Sequence, residues 1–195
     1  SPFHRKRNVP LLRLHSPVLS APEADTLVRT FRNGAINSTF DTRKEGDLEA
    51  RLDELRRQAT RLVRDGAQLL FLDDGEADNH LAPLPLALTV AAIHRDLLDQ
   101  GLRFRCSIIC RSREARDAHE VALLLTYGAE AVHPVLCEEL LLTLPKVTKD
   151  CPEQSGEQAW DNWRKGVTAG VRLIMGRMGI TPLSGFTGAQ MLVPY

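Results

Sequence analysis

The chain contains no CxxC pair, no phosphate loop of GxGxxG or GxxxxGK[ST] form, and no Cys/His array with zinc spacing. Zinc-ribbon and simple nucleotide-binding readings therefore have no local support. No apolar run approaches the roughly 18 residues of a membrane span, and no signal-peptide core is present. Excess charge is missing too: 25 Lys+Arg face 25 Asp+Glu in 195 residues. A general nucleic-acid binder carries a basic surplus, so that class is disfavoured. Four cysteines are too few for a disulfide framework at this length. There is no initiating Met, and a start at Ser1 reads as a processed product or an excised piece. What remains, 43% hydrophobic and 26% charged, is ordinary for a soluble intracellular domain.

A basic cluster, His4-Arg5-Lys6-Arg7, makes residues 1–10 a solvated lead. Ser20, Pro22 and Glu23 read as a helix start, and Asn33-Gly34 as its end. Leu48, Leu52, Leu55, Ala59 and Leu62 recur at helical steps, with Gly66 as the stop. The run from Gln68 to Leu72 is a strand buried on both faces. A helix over 87–99, a second buried strand over 104–110, a helix over 114–126 and a third strand over 131–136 follow. Alternation of this kind predicts an α/β fold with a mainly parallel sheet, incomplete barrel-like or Rossmann-like. This central α/β domain spans 11–150. Residues 151–195 form a linker, a long helix with Trp160, Trp163, Val167, Val171, Ile174 and Met178 on one face, and a Gly-rich tail with no element of its own.

Ligands of open parallel sheets bind beyond the carboxyl ends of the strands. Those ends carry Asp73 and Asp74, then Ser112, Arg113 and Glu114, then His133. Ser112 suits a cap for the next helix, with Glu114 at its positive end. Arg116 and His119, three apart on that helix, suit an anion or a partner carboxylate. The candidate ligand or interdomain edge is thus Asp74, Arg113, Glu114, Arg116, His119 and His133. Turn chemistry at Asp73-Asp74-Gly75 and buried hydrogen bonding are the structural alternatives. His94, on an apolar helix, reads as a satisfied histidine, and Cys106 and Cys110 as buried free thiols. No residue set has local support as catalytic or metal-binding.

Two stretches resemble the large (alpha) chain of glutamate synthase, in its central domain and the start of its FMN-binding region. The first combines Ala82-Pro-Leu-Pro85, Ala92-Ile-His94, Gly101-Leu-Arg103 with Arg105, Glu114-Ala-Arg116 with His119, and Tyr127-Gly-Ala-Glu-Ala131. The second is Met178-Gly-Ile180 followed by Leu183 and Gly188-Ala-Gln190. Leu11 to Leu14 with Ser16-Pro17 fits the start of the same domain. The chain departs from the family pattern at Asp73 to Gly75, Glu120, His133, Pro182, Gly185 and Phe186.

The resemblance implies a connecting domain between a glutamine amidotransferase domain and an FMN-dependent synthase domain, in cis or in trans, helping to wall an ammonia path for glutamate biosynthesis. The resemblance implies that FMN and an iron–sulfur cluster are held only in the partner domains; this chain begins with Ser where the amidotransferase nucleophile would be Cys, and its four cysteines do not show the cluster spacing. The tail residues Met178, Gly179, Ile180, Gly188, Ala189 and Gln190 are the candidate interdomain surface. The implied setting is cytoplasmic, with no nucleic acid and no membrane. The competing expectation is a stand-alone small-molecule or anion-binding module, or a divergent catalytic one.

Overall fold

The structure is a computed structural model and describes residues 14–43, 48–75, 80–143 and 155–192. Residues 1–10, most of the polar 146–157 stretch, and Cys151 lie outside the described residues. Helix α1 (Ala21–Thr30) is followed by strands β1 (Asn33–Asn37) and β2 (Thr39–Asp41), helix α2 (Leu48–Arg64) and strand β3 (Leu69–Asp73). Next come β4 (Leu81–Pro83), α3 (Leu86–Asp99), a 3-10 turn (Arg103–Arg105), β5 (Ser107–Ser112) and α4 (Ala118–Tyr127). The chain closes with β6 (Ala131–Pro134), α5 (Val135–Thr143), α6 (Gly156–Arg177) and α7 (Leu183–Phe186).

The main sheet has the order β1-β3-β5-β6, all parallel. Its strands follow one another in chain order with no reversal, so there is no switch point of the doubly wound kind. Alternation along the strands shows where the helices lie. Leu70, Leu72, Ile108, Cys110 and Val132 join the core made by α2, α3, α4 and α6. Leu69, Phe71, Ile109 and Ala131 point the other way, into a smaller core with Leu19 and Leu27 of α1. Crossover helices on one face and a single helix on the other describe an incomplete barrel whose inner face is plugged by α1. The expected α/β parallel sheet is present, in its barrel-like form.

Both sheet edges are occupied. Along β6, the N–H of Leu19 donates to Val132 O, and the N–H of Val132 donates to Pro17 O, each at 2.8 Å. Just past β1, Arg51 of α2 donates to Asn37 O at 3.1 Å and Thr39 O at 2.8 Å. A lead-in segment on β6 and an arginine at the end of β1 thus engage part of each edge that a next barrel strand would use.

Several boundaries differ from the sequence reading. Asn33-Gly34 opens β1 instead of ending a helix, because Gly34 fits flat against Leu62 of α2. The second buried strand begins at Ser107, not Phe104; Phe104 stands 95% exposed on the 3-10 turn. The third strand ends at Pro134, and Val135 to Thr143 form a helix. Helix α4 starts at Ala118 with Asp117 as its cap, whose carboxylate accepts from the N–H groups of His119 and Glu120. Ser112 Oγ accepts instead from Glu114 and Ala115 N–H, closing the turn before that helix. The tail contains α7, whose Phe186 is fully buried. Short β2 and β4 pair as a separate antiparallel ribbon.

The expected long C-terminal helix is present, but it ends at Arg177 and buries Met175, with Ile174 and Met178 half-buried beside it. Ser155 caps it, Trp160, Val167, Val171 and Met175 enter the main core, and the Trp160 and Trp163 rings stack with centroids 5.3 Å apart. No helix among the described residues is long and apolar enough to cross a membrane.

Candidate functional site

The carboxyl edge of the sheet gathers the acidic and basic side chains that end its strands. In register, Asn37 stands beside Asp73, Asp73 beside Arg111, and Arg111 beside His133. Equal register puts all four on one face, the face covered by α1. Arg111 pairs with Asp73 at 3.1 Å, and Asp73 also accepts the N–H of Gly75.

Asp74 is buried behind this row. Its carboxylate accepts from Arg113 N–H at 2.9 Å and from Ser112 Oγ at 3.1 Å. Burial pushes this carboxyl above its ordinary value; the bonds from Arg113 and Ser112 only partly offset that. The group ties the end of β3 to the turn after β5. These partners, Ser112 and Arg113, belong to the fold itself.

His133 and Glu138 form a second buried pair, 4% and 5% exposed, with Nε2 and Oε2 2.7 Å apart. Both Glu138 oxygens also accept the N–H of Ala21, at 2.9 and 3.1 Å. A carboxylate on a helix N-terminus is favourable for charge and for the orphan amide together. The pair therefore anchors α1 over the inner face. His133 Nδ1 is buried and has no partner. Glu23 on the first turn of α1 reaches Arg164 of α6 at 2.9 Å. Burial would raise this carboxyl, but the bonds to Ser20 and Arg164 outweigh it and hold it low.

Arg113, Glu114, Arg116 and His119 are exposed at the start of α4. Arg116 does not pair with His119; it bridges Glu120 one turn on, at 3.1 Å. Thus the edge residues separate into a buried structural set (Asp74, His133) and an exposed set on the β5–α4 junction.

The amino edge holds a network the sequence reading did not assemble. Arg103 Nε donates to His94 Nδ1 at 2.8 Å, and its Nη atoms donate to Cys106 O, Gly128 O and Glu130 Oε1. Glu130 in turn accepts the N–H of Ile108 at 2.6 Å. Burial, and then the Arg103 charge, push His94 down to about 4. Burial pushes Glu130 up, with Arg103 partly opposing it. His94 is thus the satisfied neutral histidine the sequence suggested. Arg103 and Glu130 sit inside the stretches that carried the family resemblance, which was the available signal for them.

Met178, Gly179 and Ile180 follow α6 at the surface, half-buried or exposed. The rest of the tail lies along the end of α4: Gly188 N–H donates to Leu125 O, and Gln190 N–H to Thr126 O. Cys106 and Cys110 are buried free thiols. Burial raises Cys106 to about 11 and raises Cys110 further, so neither is a ready thiolate ligand. Among the described residues, no three His, Cys, Asp or Glu side chains converge in a metal-holding group.

Comparison with known proteins places this geometry. Residues 3–193 match the family described as the glutamate synthase central domain. The large chain of an NADPH glutamate synthase of Bacillus subtilis is 33% identical over 186 residues, covering 95% of this chain and 12% of that one. A chloroplastic ferredoxin-dependent glutamate synthase of Spinacia oleracea is 36% identical, covering 93% of this chain and again 12% of the relative. The chain therefore spans about 12% of the length of these relatives. A solved flavocytochrome b2 variant shares the fold over 72% of this chain and 36% of its own, with a TM-score of 0.51 at 14% identity. That likeness concerns fold alone and agrees with an incomplete barrel. On its sequence match over nearly its whole length, the chain belongs to the glutamate synthase central domain family.

Proposed function

We propose that this domain connects a glutamine amidotransferase domain to an FMN-dependent synthase domain and helps wall the path along which ammonia travels between them, in glutamate biosynthesis. The observation that carries the reading is the match over residues 3–193 to one central segment of much longer glutamate synthases. The domain itself performs no chemistry in this reading. FMN and the iron–sulfur cluster are held by the partner domains, in cis or in trans, in the cytoplasm.

The geometry supports a scaffold. Asp74 and Glu138 accept hydrogen bonds from the protein's own backbone, and the Glu138–His133 pair holds α1 across the inner face of the sheet. Arg113 and Glu114 on the junction before α4, Arg116 in its bridge to Glu120, and His119 on the first turn of α4 are exposed, which leaves this surface open to a neighbouring domain. Met178, Gly179 and Ile180 offer a second contact at the end of α6.

The test is affinity capture with the tagged chain from native lysate, followed by mass spectrometry and a flavin absorbance scan. Recovery of an FMN protein together with an amidotransferase supports the reading. Recovery of the chain alone, with a small anion bound at the Arg113–His119 surface, overturns it in favour of a stand-alone binding module.

A further inference from the structure

We propose that residues 187–192 form a latch, hinged at Phe186, that is seated on the end of α4 and on the His94 ring and that opens as one unit while the core stays folded. The hinge is the fully buried Phe186 side chain of α7. Beyond it, no described residue up to Leu192 is buried. The latch is held instead by hydrogen bonds of its backbone to the backbone and side chains at the end of α4. Gly188 N–H donates to Leu125 O at 3.2 Å, Gln190 N–H to Thr126 O at 2.9 Å, and Met191 N–H to Thr126 Oγ1 at 3.0 Å. Tyr127 completes the set by donating its hydroxyl to Leu192 O at 2.9 Å.

Two features show that the seat is specific. Gly188 has φ +73°, and a β-carbon there would stand 2.5 Å from Cε1 and 2.6 Å from Nε2 of His94. The slot therefore accepts only glycine at this point. Gln190 also has a positive φ, 51°, which a side-chain-bearing residue adopts at a cost. That conformation persists because the Thr126 backbone and hydroxyl hold it.

The same features make the latch separable. Hydrogen bonds at a wet surface contribute modestly, and segments without buried apolar side chains open at less than the global free energy. Opening relieves Gln190, uncovers the edge of the His94 imidazole, and frees the chain beyond Phe186 from the end of α4. None of this depends on which partner domains the chain meets.

The test is amide hydrogen exchange of the full chain, read at residues 188, 190 and 191 and, as a reference, at Leu70, Ile108 and Val132. The three latch amides are expected to exchange at one common rate, at least tenfold faster than the reference set. Gly188→Ala is expected to speed all three by a further tenfold or more without moving the reference amides. Tyr127→Phe, which removes a single bond and keeps the ring, is expected to speed the same three by a few-fold and carries the test if Gly188→Ala does not fold. Latch amides that exchange only with the reference set, or that respond to Tyr127→Phe one at a time, overturn the proposal.

Discussion

Gly128 and His94 are in contact so close that a β-carbon on Gly128 would lie 2.5 Å from His94 Nδ1, the atom that accepts from Arg103. Gly128 has φ +127°, so a side chain is excluded by backbone conformation and by space together. Gly128→Ala should cost about 1–3 kcal/mol, from local strain and displacement of the ring. Urea unfolding checks this: the midpoint should fall with an unchanged slope.

Arg103 links His94 to three groups at the amino edge, Cys106 O, Gly128 O and Glu130. Truncating it leaves a half-buried carboxylate and two carbonyls without their donor. Arg103→Ala should therefore destabilise by about 1–3 kcal/mol, the cost of leaving buried acceptors without their donor. Arg103→Lys should recover only part of this, since one ammonium cannot reproduce the fork. Calorimetric melting of the two variants measures the difference.

The neutral state of His94 gives stability a pH dependence. Its ordinary value is 6.5, and in the folded protein it is held at about 4. Between these limits the unfolded chain takes up a proton that the folded protein refuses. Stability should thus fall as pH drops from about 6.5 to about 4, by up to about 3 kcal/mol, with no further loss from this group below that. Glu130, whose carboxyl burial raises, acts in the opposite sense near the lower limit. His94→Gln keeps an acceptor for Arg103 and should flatten the profile of unfolding free energy between pH 6.5 and pH 4.

Glu138 holds the start of α1 across 117 residues of sequence. Glu138→Ala leaves the Ala21 amide without its acceptor and should cost about 1–3 kcal/mol. Hydrogen exchange should localise the effect, with amides 21–24 exchanging faster and those of β3 and β5 unchanged. Equal acceleration throughout would mean that α1 and the sheet unfold together.

Elements with one strong local pattern were legible without coordinates. Helix α2 carries its leucines at helical steps, and β3 is an unbroken apolar run closed by Asp-Asp-Gly. Helix α5 is hidden because Val135-Leu-Cys137 extends the apolar run of β6, and the helix begins directly after Pro134 with no intervening residue. Strand β1, with sequence Asn-Gly-Ala-Ile-Asn, has turn-forming residues and gains its conformation from β3 and Leu62. At the candidate site, His133 stands at the strand end the sequence predicts, but its partner Glu138 lies two residues past the expected strand, in a helix that the sequence pattern does not announce. The His94–Arg103–Glu130 network joins three elements through bonds that no spacing rule reports. Asp74 was legible as a strand-end carboxylate; its commitment to Ser112 and Arg113 follows from sheet order, which alternation alone does not specify.

The central claim, a connecting domain that performs no chemistry itself, is tested most directly by reconstitution. The chain is mixed with the remainder of a relative's large chain, such as that of Bacillus subtilis, produced without its corresponding segment. Glutamate formation from glutamine is then compared with formation from free ammonia. The account predicts that the chain forms a stable flavin-containing complex and raises the glutamine-dependent rate without raising the ammonia-dependent one. A chain that stays apart from that remainder, or that changes neither rate in its presence, would contradict it.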